Sequence, residues 1–178
     1  MTDPGDFIDE LLSWGATFAD ANWAVAAAVR VLGQEWATQD QYGLRKVALL
    51  PKDRRFWNVD LEWVEGSGGD ARFGVVTLWV THEHCPVTVE MFNAAIGPGF
   101  AEPPHQTETA FPDEESITIQ TWVYDPDPRF QLQITFAHPE RDWLIREARI
   151  AKAGTWDHPP IARRRTGGGR GARRGPAE

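Results

Sequence analysis

The apolar residues of this chain recur with two different periods. From Arg72 to Thr81 the order is Arg-Phe-Gly-Val-Val-Thr-Leu-Trp-Val-Thr. Val76, Leu78 and Val80 fall to one side of an extended chain, and Phe73, Val75 and Trp79 to the other. Apolar residues on both sides of a period-2 segment predict burial on both faces, so this stretch reads as the central strand of a sheet. Phe56 to Glu65 reads as a half-buried strand, with Trp57, Val59, Leu61 and Trp63 alternating against Asn58, Asp60 and Glu62. The loop Gly66-Ser67-Gly68-Gly69-Asp70 between them predicts an antiparallel hairpin. Leu44 to Leu50 predicts a shorter strand, ended by Pro51. Ser116 to Tyr124 and Phe130 to Phe136 predict two more, with Phe130, Leu132, Ile134 and Phe136 alternating against Gln131, Gln133 and Thr135. Between those two lies Asp125-Pro126-Asp127-Pro128, whose prolines read as a turn outside any sheet.

The other period is helical. Phe7, Ile8, Leu11, Leu12 and Trp14 repeat at helical spacing behind Asp6, Asp9 and Glu10, which suit the positive end of a helix dipole. Gly15 reads as an interruption. A second run, Asn22 to Trp36, has almost no polar face before Gln34 and reads as a largely buried helix, either continuous with the first or packed on it. Thr88 to Ile96 places Val89, Phe92 and Ile96 on one side, with Thr88 as cap and Gly97-Pro98 as stop. Pro139 to Ala153 reads as a last helix, with Pro near its first turn and Gly154 at its end. Residues 97–115 carry four Pro and an acidic cluster, Asp113-Glu114-Glu115, and predict a long loop.

These elements give an α+β domain over residues 1–162, an antiparallel sheet of about five strands with N-terminal, middle and C-terminal helices. Their order, α-β-β-β-α-β-β-α over residues 6–153, resembles the type III secretion chaperone-like fold. That resemblance implies a protein that binds segments of other proteins and dimerises.

Charge divides the chain in two. Residues 1–162 hold twelve Lys and Arg against 25 of the 26 acidic residues, a net of −13. Residues 163–178 hold six Arg and one Glu, a net of +5, and no core-forming side chain. They predict a disordered Arg/Gly-rich tail. An acidic body repels nucleic acid and anionic membranes, which leaves the tail as the one segment suited to nucleic acid. It suits instead a protein partner with a basic surface. No apolar run reaches the roughly 18 residues of a membrane helix. The acidic N-terminus lacks the form of a signal peptide, and the single Cys85 excludes an internal disulfide, so the expected compartment is the cytoplasm.

No phosphate-binding glycine loop, dinucleotide fingerprint, nucleophile elbow or H-E-x-x-H helix occurs, and no cofactor is implied. His82 and His84, on a strand, would share a side about 7 Å apart, a spacing two metal ligands can use. Cys85, His105 or His138 would have to supply a third ligand. The blander reading, exposed imidazoles at a strand end, is preferred. Cys85 beside His84 suggests a thiol nucleophile, but neighbouring strand residues point apart. Carboxylates such as Asp60, Glu62, Asp113, Glu114 and Glu115 read as solvated surface, with nothing to set two of them apart as an acid/base pair.

What remains is the outer side of the sheet. Phe73, Trp79, Trp122 and Tyr124 are expected there among short polar groups, the composition of a binding or dimer surface. The expected function is a non-enzymatic protein-binding module: a secretion chaperone, an adaptor or an immunity-type inhibitor. The alternatives are an enzyme or metal protein centred on His82 and His84, and a nucleic-acid-associated protein acting through its tail. Deleting residues 163–178 is expected to move the melting temperature by no more than about 2 °C, because those residues add nothing to a core. A fall of about ten degrees in a thermal melt would contradict this.

Overall fold

The computed structural model describes residues 4–41, 44–63, 71–107, 117–138 and 144–158. The expected disordered tail lies outside them. The order is α1 (Pro4–Asp20), α2 (Val25–Leu32), β1 (Gly33–Gln41), β2 (Leu44–Pro51), β3 (Phe56–Trp63), β4 (Val75–Val80), a 3-10 turn (His82–His84), α3 (Val89–Ile96), β5 (Phe100–Ala101), β6 (His105–Gln106), β7 (Thr118–Asp127), β8 (Phe130–His138) and β9 (Leu144–Lys152). The α+β class and the antiparallel sheet hold. Among the described residues the sheet has nine strands rather than five, in the order β1-β2-β3-β4-β9-β8-β7-β5, with β6 on the outer side of β7.

One row of the sheet runs Leu49, Val59, Leu78, Ala148, Ile134 and Trp122 from β2 to β7. The first five are buried or nearly so, under Phe7, Leu11 and Phe18 of α1 and Leu32 of α2. On the same side Phe92 of α3 meets Tyr124 and Phe136 at 5.6 and 5.9 Å between ring centroids. The three helices therefore all cover one face of the sheet.

The two N-terminal helical runs are separate helices. Asn22 and Trp23 have left-handed backbone (φ 49° and 60°) and break the chain between them. The Phe73 N–H donates to the Trp23 carbonyl, and the Val25 N–H to that of Ala71, which pins the break beside the start of β4. Gly15 does not interrupt α1. A Cβ there would lie 2.4 Å from the Phe130 ring, so glycine lets the helix lie directly on β8. Arg55, at the start of β3, ties α1 down: its guanidinium pairs with Glu10 and Asp53 and lies 5.5 Å from the Phe7 ring centroid.

Two expected helical stretches are strands. Gln34–Trp36 belongs to β1, because α2 ends at Gly33 and the chain turns at once onto β2. The expected last helix is β9, inserted between β4 and β8. Its register shifts against β8 so that Arg146 is an extra residue, and Ile145 and Ala148 both face the core. Apolar residues three apart read as helical, and the bulge is what sets them so. Asp125–Asp127 likewise stays within β7, because a register shift between Tyr124 and Asp127 leaves Pro126 out of the ladder. The element order on which the chaperone-like resemblance rested is thus not the observed one.

A Cβ on Gly33 would sit 2.1 Å from the Leu50 carbonyl oxygen. Gly33→Ala is expected to destabilise the protein by about 2 kcal/mol or more in chemical denaturation, since that contact is rigid backbone. An unchanged midpoint would show that β1 and β2 separate freely.

Candidate functional site

The second face of the sheet has no described helix over it. Its middle row runs Ala48, Asp60, Thr77, Arg149 and Gln133, and the next Asn58, Trp79, Glu147, Thr135 and Thr121. Many of these are polar yet buried: Asp60, Thr77, Thr121, Thr135 and Glu147 are each no more than 9% exposed. Buried polar groups need partners, and most of these have them. The Trp79 indole N–H donates to Asp60 Oδ2 at 3.0 Å, and Lys46 Nζ lies 3.1 Å from the same oxygen. Arg149 Nε lies 2.5 Å from Glu147 Oε1, and its Nη1 donates to Gln133 at 3.4 Å. The Thr121 and Thr135 hydroxyls share a hydrogen at 3.2 Å. Burial pushes the Glu147 carboxyl above the usual carboxylate range, against the opposing pull of Arg149, Arg146 and Lys46.

Onto this polar floor three bulges deliver one extra residue each. In β1, Glu35 pairs with Leu49 and Ala37 with Ala48, leaving Trp36 unpaired. In β3, Phe56 pairs with Val80 and Asn58 with Trp79, leaving Trp57. In β9 the extra residue is Arg146. Trp36 and Trp57 are 63% and 64% exposed, and Leu50 beside them is 54% exposed. Trp57 lies 5.5 Å from Trp79 between ring centroids. The Arg146 side chain is exposed, and its charge acts on Glu147.

Three hollows lie along the face. One of about 490 Å³ is lined by Trp36, Lys46, Leu50, Trp57 and Asp60. A second, about 300 Å³, is mostly apolar and lies between Trp57, Trp79, Leu144 and Arg146. A third, about 350 Å³, is polar and holds Glu102, His105, Thr121, Arg146, Glu147 and Arg149 around Trp79. Trp57, Trp79 and Arg146 thus join apolar and polar hollows into one continuous surface.

Of the four residues expected here, Trp79 is in place. Phe73 is buried on the helix-covered side against Phe18 and Trp23, because the strand begins only after Gly74 and the alternation does not reach back to it. Tyr124 is buried under α3, its hydroxyl donating to Asn93 at 3.1 Å. Trp122 shares that side and packs half-buried on the core. β7 carries large residues on both faces, so its sequence pattern did not fix which face is inward. Trp36 and Trp57 were missed for a different reason: one lay in an expected helix, the other in an unbroken alternation. The sequence signal that could have flagged Trp57 is the pair Phe56-Trp57, two aromatics that cannot both face the core without a bulge.

His82–His84 form a 3-10 turn rather than a strand end, so the spacing argued for two ligands on one side does not apply. Among the described residues no cluster of three His, Cys, Asp or Glu could hold a metal ion. Cys85 is buried, and burial pushes its thiol up to about 12. Comparison with protein-family models, with curated proteins and with solved structures found no match.

At pH 8 a thiol of that acidity is about one part in ten thousand thiolate, and the thiolate is the reactive form. Alkylation of Cys85 by iodoacetamide at pH 8 is expected to be at least about a hundredfold slower in the native protein than in urea. Equal rates would return Cys85 to the list of reactive nucleophiles.

Proposed function

We propose that this chain is a non-enzymatic protein-binding module that takes its partner on the open face of the sheet. The observation that carries the reading is the set of three bulges that turn Trp36, Trp57 and Arg146 out onto the face that Trp79 shares. Bulges are devices that re-aim side chains, and exposed Trp and Arg beside a structured polar floor are the residues that dominate protein interfaces. The apolar hollow between Trp57 and Trp79 suits an anchoring side chain. The polar hollow around Glu147 and Arg149 suits the hydrogen-bonding groups beside it.

The net charge of −13 over residues 1–162 favours a partner with a basic surface. An adaptor, a secretion-type chaperone and an immunity-type inhibitor of a basic toxin share that logic, and the cytoplasm suits the lone buried thiol. Among the described residues no helix is long and apolar enough to cross a membrane.

The test compares full-length wild type with Trp57→Ala and Trp79→Ala in quantitative affinity capture and in chemical denaturation. The expected result is roughly thirtyfold weaker capture of a partner by each variant, the loss for about 2 kcal/mol at an interface Trp. Trp57→Ala should keep the wild-type unfolding midpoint, and Leu78→Ala, on the helix-covered side, should lose about 2–5 kcal/mol of stability. Wild-type capture by Trp57→Ala would overturn the reading, as would a Trp79→Ala variant that unfolds as readily as Leu78→Ala.

A further inference from the structure

The two edges of the sheet are unlike. At one, β5 and β6 are two residues each, separated by Pro103 and Pro104, which cannot donate to a ladder. At the other, β1 runs nine residues without proline or lysine and is hydrogen-bonded on one side to β2. Among the described residues no strand pairs with its other side. From Ala37 to Gln41 the register is regular, so alternate backbone N–H and C=O groups point outward from the sheet. At the start of this free edge stands Trp36, exposed and contiguous with Leu50 and Trp57. An open ladder beside pockets for alternate side chains is the arrangement by which sheets accept an added strand.

The geometry points to β1 as the acceptor of an extended, basic segment of a partner protein. The segment adds a tenth strand by main-chain hydrogen bonds and seats alternate apolar side chains against Trp36 and Leu50. This inference rests on the protein-binding reading and specifies how the partner enters. Charge selects the occupant. β1 carries Glu35 and Asp40 and no Lys or Arg, in a body of net −13. A second copy would bring like charges to the shared edge. The chain's own basic tail is rich in Gly, which strands disfavour, and has few apolar residues to alternate. The last described residue ahead of that tail, His158, stacks on Phe100 of β5 and pairs with Asp125, at the far edge of the sheet.

The test uses the full chain and three synthetic octapeptides: alternating Lys-Val, the same peptide N-methylated at every residue, and alternating Glu-Val. Affinity is read by titration, and residue-level amide exchange reports on β1. The expected result is Lys-Val binding at least about tenfold tighter than either control, with alternate amides of residues 37–41 slowed on binding. Trp36→Ala should weaken that binding about tenfold with the same amides still responding. Failure of the Lys-Val peptide to bind would overturn the inference. So would outward β1 amides already protected in the free monomer, or a concentration-dependent dimer that protects them, since another occupant then holds the edge. If the peptide binds, leaves β1 amides unchanged and is released by Trp57→Ala, the edge inference fails while the open-face reading stands. If an identified partner is lost in neither Trp36→Ala nor Trp57→Ala, both fail.

Discussion

A sheet of nine described strands has two large faces, and the described helices all lie on one of them. Everything else follows from that inequality. On the covered side the register lines up Leu49, Val59, Leu78, Ala148 and Ile134 beneath α1 and α2, and Phe92 of α3 closes the far end on Tyr124 and Phe136. Area removed from water there supplies the main favourable term of folding. The other side is satisfied by polar pairing. Asp60 is shared by Trp79 and Lys46, Glu147 is held by Arg149, and Thr121 meets Thr135. Each buried polar group left unpaired would cost about 1–3 kcal/mol, and Arg149 Nε, close to Glu147 but without a hydrogen bond, is such a group. The rest of the floor is ordered by its own polar pairs, with no described helix over it.

Bulges convert that floor into a surface with reach. A regular sheet would put Trp57 beneath the helices with Val59 and Leu61. The extra residue between Phe56 and Asn58 instead sends Phe56 inward and Trp57 outward. The same device exposes Trp36 in β1 and Arg146 in β9. These residues come from three strands far apart in sequence, yet they border hollows that adjoin one another through Trp57 and Trp79. The fold therefore positions them by register, and the interaction surface depends on where the ladder skips.

That dependence explains what was legible in the sequence. Period-2 runs at Phe56–Trp63, Val75–Val80 and Phe130–Phe136 gave strands and mostly the right inward residues, because burial on one face enforces alternation. The helix Val89–Ile96 was legible from its period and its Gly97 stop, although Thr88 at its N-cap makes no side-chain cap hydrogen bond. The first half of α1 was legible from its period, although Gly15 is no interruption. The bulges were not, since one skipped residue shifts the period without changing composition. β9 was read as a helix for that reason, with Ile145 and Ala148 three apart across the skip. Phe73 falls on the other face because the strand begins only after Gly74, and Tyr124 and Trp122 do so because β7 carries large apolar residues on both faces, with Ile119 and Val123 opposite them. Trp79 was placed correctly: its neighbours Val76, Leu78 and Val80 fix the opposite side of the same strand.

The most direct test of this division of the sheet is the unfolding free energy of Trp36→Ala/Trp57→Ala set beside that of Phe18→Ala/Phe73→Ala. The first pair, both more than 60% exposed, is expected to change stability by less than about 1 kcal/mol in total. The second pair, whose rings meet at 5.3 Å in the core, should lose about 3–5 kcal/mol for either ring alone. Comparable losses from the two pairs would mean that the outer tryptophans serve the fold itself, and the open face would not be the surface on which this protein binds.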